Sequence, residues 1–265
     1  MVRMSEVRPS VLSRRNPTVK LALLFSVSVV LLFVFDPVTP AVLYLLALTA
    51  TLAAAVVPLR TLALAHIPFV GFAFGMLLVN AVSRPGRILF DIAGLSVSLE
   101  GLQVGGSLAL RTLLIGVLSI AFITSTDGVA LMTSLHQHAR LGPRVTYAVL
   151  AGYRMLQQMP AEWRTIRQAH AVRMPLRRDG RLPRDLRSFG RAAFGLLVVS
   201  LRKGERMALS LESRGLGLSP RTTWRPVALD WRDAAFAATV LAVIAVVLGV
   251  SALAGTLGGF GRLSA

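Results

Sequence analysis

Two arginines stand where a helix ends and a partner protein could be gripped. Between Glu205 and Gly217 the apolar line Met207, Ala208 and Leu211 is continued at helical spacing by Arg214 and stopped by Gly215, the residue type that most readily forms a left-handed C-terminal cap. Upstream, Ile166, Ala169 and Arg173 share a helical face, and Pro175 disfavours further helix. Seven residues separate Ile166 from Arg173, and seven separate Met207 from Arg214. A guanidinium makes paired hydrogen bonds to carboxylates and carbonyls and still stacks, which a lysine cannot reproduce. The plainer role, compensation of the helix dipole, is worth roughly 0.3–1 kcal/mol. The parallel context of the two arginines favours recognition.

Other chemistry is largely excluded. The chain has no cysteine, which removes disulfides, thiolate metal sites and cysteine nucleophiles. His136 and His138, two apart, point to different faces of a helix and make a poor metal pair. No phosphate-binding Gly-x-x-x-x-Gly-Lys-Ser/Thr loop, His-Glu-x-x-His or Gly-x-Ser-x-Gly is present. Apart from Arg111 near the outer end of the fourth run, the interiors of the apolar runs hold essentially only Asn80 and His66 as strong polar groups, whereas ion or proton relays put carboxylates at mid-membrane depth. No catalytic residue, cofactor or metal ligand is therefore expected. The remaining picture is an adaptor.

The elements that must position these arginines are mostly membrane helices. A mean hydropathy of +0.67 with 54% hydrophobic residues is too apolar for an ordinary soluble domain. The net charge of +17 comes from a block of basic residues beside the apolar runs, with few aromatics interleaved, which fits a cytoplasmic membrane face better than nucleic acid. The runs Leu21 to Phe35, Ala41 to Val57, Leu62 to Val82, Leu108 to Thr124 and Ala234 to Leu253 read as five spans. Ser13-Arg14-Arg15 ahead of the first run is similar to a twin-arginine export signal, but a second apolar run follows after only a short Pro-containing turn, so the pair reads better as a membrane hairpin. Gly71 and Gly75 form a small-residue pair that lets another helix approach. Residues 83–106 read as an outer loop with a short strand at Leu95 to Leu99. Basic flanks put the N-terminus inside and, after five spans, the C-terminus outside.

From Asp127 to Arg232 lie 19 of the 29 Lys and Arg against seven of the 12 Asp and Glu. Helical apolar spacing recurs there at Val129 to Leu141, Val145 to Met159, Trp163 to Val172, Phe189 to Leu201 and Glu205 to Arg214, with a polar loop at Arg177 to Arg184. Trp224 and Trp231 suit an interfacial belt before the last span. The expected fold is all-α: about five transmembrane helices plus a cytoplasmic helical module, divided as 1–126, 127–230 and 231–265.

In this frame the sequence resembles the transmembrane T component of energy-coupling factor transporters. Leu211-Glu212-Ser213-Arg214-Gly215 is similar to the second of that family's two Ala-Arg-Gly-type signatures, and Ala171-Val172-Arg173-Met174 is similar to the first, with Val172 and Met174 replacing the small residue and the glycine. Asn16-Pro17-Thr18-Val19-Lys20 resembles the family's entry to its first span, and Glu100-Gly101, Arg111, Arg154, Pro160 and Glu162 follow in a familiar order. The resemblance implies a non-catalytic scaffold in the cell inner membrane, joining two cytoplasmic ABC-type ATPases to a small substrate-binding (S) membrane subunit for vitamin or metal-ion uptake. It also implies that Arg173 with Val172, and Arg214 with Ser213 and Gly215, enter grooves on the two ATPases. A conventional ABC permease that itself lines the substrate path is the main rival. A lipid-modifying membrane enzyme is a weaker one, because the acidic residues of the basic segment are scattered.

Overall fold

Polar side chains start the membrane helices. Asn16 accepts from the Thr18 N–H and, with Pro17 at the first position, opens α1 (Pro17–Leu31). Ser98 accepts from the Gly101 N–H and opens α4 (Leu99–Ser125). Asp230 and Asp233 form a reciprocal capping box at the start of α8 (Trp231–Leu253). Between these lie α2 (Val38–Ala54) and α3 (Leu59–Ser83), and an antiparallel hairpin of β1 (Ile88–Ile92) and β2 (Leu95–Ser98) precedes α4. A computed structural model describes residues 10–54, 58–92, 95–173, 186–218 and 226–255.

The chain folds as two compact units, one of residues 1–127 with 228–265, the other of residues 128–227. In the first unit Val27, Leu31, Leu43, Leu114 and Ile244 bring α1, α2, α4 and α8 into one apolar cluster. Leu62 and Ile120 join α3 to α4 in a second. Outside this narrow core the surface is apolar: Phe72 and Phe74 are each 63% exposed and Val246 64%. In water that would be costly, whereas in hydrocarbon it costs nothing. The helices α3, α4 and α8 are long and apolar enough to cross a membrane, and α1 and α2 are shorter apolar helices. The protein is an all-α, multi-pass membrane protein.

In the second unit α5 (Gly128–His138) leads into two long helices, α6 (Pro143–Arg173) and α7 (Leu186–Ser213). These two pack side by side. The Trp163 and Phe189 rings lie 5.3 Å apart, the Glu162 carboxylate pairs with the Lys203 ammonium, and Ile166 reaches the backbone at Gly195.

Several expectations change. The fourth span begins at Leu99, not near Leu108, because Ser98 supplies the cap, so Glu100 and Gly101 belong to its first turn and not to a loop. Val145 to Met159 and Trp163 to Val172 are one helix, with Pro160 in its interior; a proline removes one backbone bond without stopping a helix built of good formers. Phe189 to Leu201 and Glu205 to Arg214 likewise join through Gly204, whose cost inside a helix is only about 1 kcal/mol. Around Gly71 and Gly75 no other part of the chain lies within 4 Å of an added Cβ, so the close approach expected there is not made among the described residues. It occurs instead on α4, where a Cβ on Gly105 would stand 2.9 Å from the Leu77 carbonyl oxygen and one on Gly116 2.7 Å from the Phe69 ring. Trp224 and the loop from Arg177 to Arg184 lie outside the described residues.

Candidate functional site

The end of α7 is a finished cap. Ser213 is its last residue, and the chain then turns through Gly215 at φ +81 and Gly217 at φ +101. The Gly215 N–H donates to the Glu212 carbonyl at 2.9 Å and the Leu216 N–H to the Leu211 carbonyl at 3.0 Å, the two bonds of a Schellman motif. Leu218 folds back against Gly215, and the Ser213 hydroxyl donates to the Ser210 carbonyl. These bonds take up the Ser210, Leu211 and Glu212 carbonyls, and Ser213 and Arg214 stand exposed at the tip. Met207 and Leu211, on the same face as Arg214, are half-buried.

Arg173 closes α6 as its last residue, and Val172 beside it is 89% exposed. Met174 and Pro175 lie outside the described residues. Ile166, on the face shared with Arg173, is half-buried against α7 at Gly195.

The structure does not bring the two arginines together. The Arg144 guanidinium, in the first turn of α6, lies beside Gly217, just past the end of α7. With the Glu162–Lys203 and Ile166–Gly195 contacts, this makes α6 and α7 antiparallel. Arg173 therefore sits at the far end of a 31-residue helix, about 45 Å from Arg144 at about 1.5 Å per residue. Such a pair cannot share one small ligand. It can serve two separate partner surfaces.

The unit is held in this shape by contacts the sequence only partly signalled. At the α5–α6 turn Arg140 takes φ 55, the Leu141 N–H donates to the Leu135 carbonyl, and His136 Nδ1 lies 2.6 Å from the Leu141 carbonyl oxygen. His138 Nε2 lies 3.0 Å from the Val227 carbonyl oxygen, and the Val227 N–H donates to Gln137. Both histidines thus serve the backbone. Among the described residues no three His, Asp or Glu gather as a metal site.

In the membrane unit the polar residues tie helix ends. The Asn16 N–H donates to Asp233 Oδ1 at 3.0 Å, and Asn16 Nδ2 donates to the Ala228 carbonyl at 3.1 Å. Lys20 Nζ donates to the Ser125 carbonyl. Arg111 Nη2 donates to the Val34 carbonyl at 2.7 Å, and Glu100 accepts from the Arg87 N–H. The buried Lys20 and Asp233 are polar groups that hydropathy reading passed over, because each lies at the edge of an apolar run.

Comparison with known proteins adds a family. A family model described as CbiQ, cobalt transport protein, matches residues 8–224. Among curated proteins, one from Bifidobacterium longum (strain NCC 2705), named provisionally as an ABC transporter ATP-binding protein, is 26% identical over 249 residues. The alignment takes in 90% of this chain but 32% of that protein, so the chain spans about a third of the length of the curated relative it matches.

Proposed function

The chain belongs to the CbiQ cobalt transport protein family, and from that membership we propose that it is the transmembrane coupling subunit of an energy-coupling-factor-type ABC importer. The membership, over a match that runs from the N-terminal segment past the end of α7, is the observation that carries the reading. In this reading two cytoplasmic ATPases bind the α6 and α7 ends, one through Arg173 and Val172, the other through Ser213, Arg214 and Gly215. A small membrane subunit carries the substrate, a vitamin or a metal cation.

The geometry suits such a task. Two arginines separated by the length of α6 reach two subunits, and the Schellman turn gives Arg214 a rigid base from which a guanidinium can fork into carboxylates or carbonyls. Rigid antiparallel helices convert ATPase closure into displacement of their ends. The relative from Bifidobacterium, whose name is that of an ATP-binding protein and two thirds of which lies outside the match, is a further reason to expect ATPase partners. In this reading the N-terminus and the second unit face the cytoplasm at the inner membrane, an orientation that the basic flanks favour.

The test is affinity purification from native membranes in mild detergent, wild type beside the Arg173→Glu/Arg214→Glu variant, with mass spectrometry of what comes with each. ATPases and a small hydrophobic protein with wild type, and loss of the ATPases from the variant, are expected. ATPases retained in equal amount by the variant would overturn the assigned roles.

A further inference from the structure

Next to the start of α8 the membrane unit holds a cavity of about 630 Å³, and Arg14, Arg15 and Arg232 line it together with Asp230 and Asp233. A second hollow of about 460 Å³ shares Arg15 and Arg232 and runs on past Trp231, Ala235, Phe236 and Thr239. A charged chamber thus opens into a groove along the outer face of a membrane-spanning helix.

The charges in the chamber are not equivalent. Asp233 is buried, and its two oxygens accept from the Asn16 and Asp230 N–H groups at 3.0 and 3.1 Å. Asp230 accepts from the Trp231 N–H at 2.8 Å, and its other oxygen stands 3.9 Å from Arg232 Nε. Both carboxylates are committed to main-chain N–H groups at the starts of α1 and α8. Among the described residues neither Arg14 nor Arg15 has a carboxylate within 4.0 Å, and the buried Arg15 Nε has no hydrogen-bond partner. A buried donor of this kind costs free energy until something accepts from it. Arg232 stands over the Trp231 ring at 5.8 Å, which holds its guanidinium at the mouth of the groove.

We propose that this chamber and groove bind one anionic phospholipid, the phosphate taken by Arg15, Arg232 and Arg14 and an acyl chain laid along Trp231, Ala235, Phe236 and Thr239. The position fits a lipid and not a free anion, because the apolar extension follows α8 into the hydrocarbon region while Trp231 and Arg232 stand in its first turn and Arg14 and Arg15 line the chamber beside it. It is also more specific than the attraction of any basic surface for an anionic leaflet, which needs no chamber. The lipid would complete the junction at which α1 and α8 begin, by accepting from the arginine that follows the α8 cap and from the one that precedes Asn16.

Native mass spectrometry of the delipidated full chain tests this, with palmitoyl-oleoyl phosphatidylglycerol and phosphatidylcholine added in turn. One retained phosphatidylglycerol, preferred over phosphatidylcholine by about tenfold, is expected. Arg15→Gln/Arg232→Gln abolishes the preference, whereas Arg202→Gln/Arg206→Gln, with the same change in net charge on α7, keeps it. Ala235→Trp, at an exposed position, fills the groove while leaving every arginine in the chain and also loses the retained lipid. Equal retention of the two lipids, equal loss in both arginine variants, or displacement of the lipid by an equimolar amount of soluble glycerol phosphate would overturn the proposal.

Discussion

Lys20 Nζ donates to the main-chain carbonyl of Ser125 at 2.9 Å, with Ser125 Oγ at 3.3 Å, and so ties the first turn of α1 to the last residue of α4. Lys20 is only 6% exposed. Four residues earlier, Asn16 bonds to Asp233 in the first turn of α8. One short stretch thereby fixes three helix ends, next to the two points where the chain leaves and re-enters the membrane unit, after Asp127 and before Ala228.

Replacing Lys20 removes a cation from a helix C-terminus and a donor from a buried carbonyl, both unfavourable. Lys20→Met is expected to lower the unfolding free energy by about 1–3 kcal/mol. Thermal unfolding in detergent, followed by circular dichroism, should show a lower midpoint. An unchanged midpoint would mean that the bond carries no stability.

The α3–α4 seam makes a prediction of opposite sign at two glycines. Gly105→Val pushes a side chain into the Leu77 backbone and should cost about 1–3 kcal/mol, the usual range for overpacking. Gly75→Ala meets open space and replaces a poor helix former, so it should leave the midpoint unchanged or raise it by up to the equivalent of about 1 kcal/mol. The same thermal assay separates the two.

At the tip of α7, Gly215→Val forces a β-branched residue into a left-handed conformation at a cost of about 1–2 kcal/mol. The strain is local, so the membrane unit should unfold at its ordinary temperature while the Schellman turn loosens. ATPase recovery in the affinity purification should fall. Normal recovery would show that the turn does not orient Arg214.

Much of this was legible in the residues. The left-handed Gly215, the five apolar helices and the separate basic helices all follow from local rules that act within a few residues. What was misjudged depended on competition between local and longer-range terms. Pro160 and Gly204 read as breaks on local propensity, yet α6 and α7, packed against each other, run through them. Gly71 and Gly75 read as a helix contact because spacing cannot say which face meets a neighbour, and the close approach fell to Gly105 and Gly116. The antiparallel placing of Arg173 and Arg214 at opposite ends was invisible, since it depends on Arg144 meeting Gly217 some 70 residues away. The burial of Lys20 and Asp233 was hidden for a different reason: a charge at the edge of an apolar run looks like a flank until the fold closes around it.

The absence of cysteine makes the central claim directly measurable. Single cysteines at Val172 and Ser213, beside the two arginines, and at Leu253, at the far end of α8, can each carry a photoactivatable maleimide in the native complex. The account predicts that the labels at Val172 and Ser213 each cross-link to an ATPase subunit and that the label at Leu253 does not. Cross-links from Leu253 to an ATPase, or none from either helix tip in a complex that still contains ATPases, would contradict it.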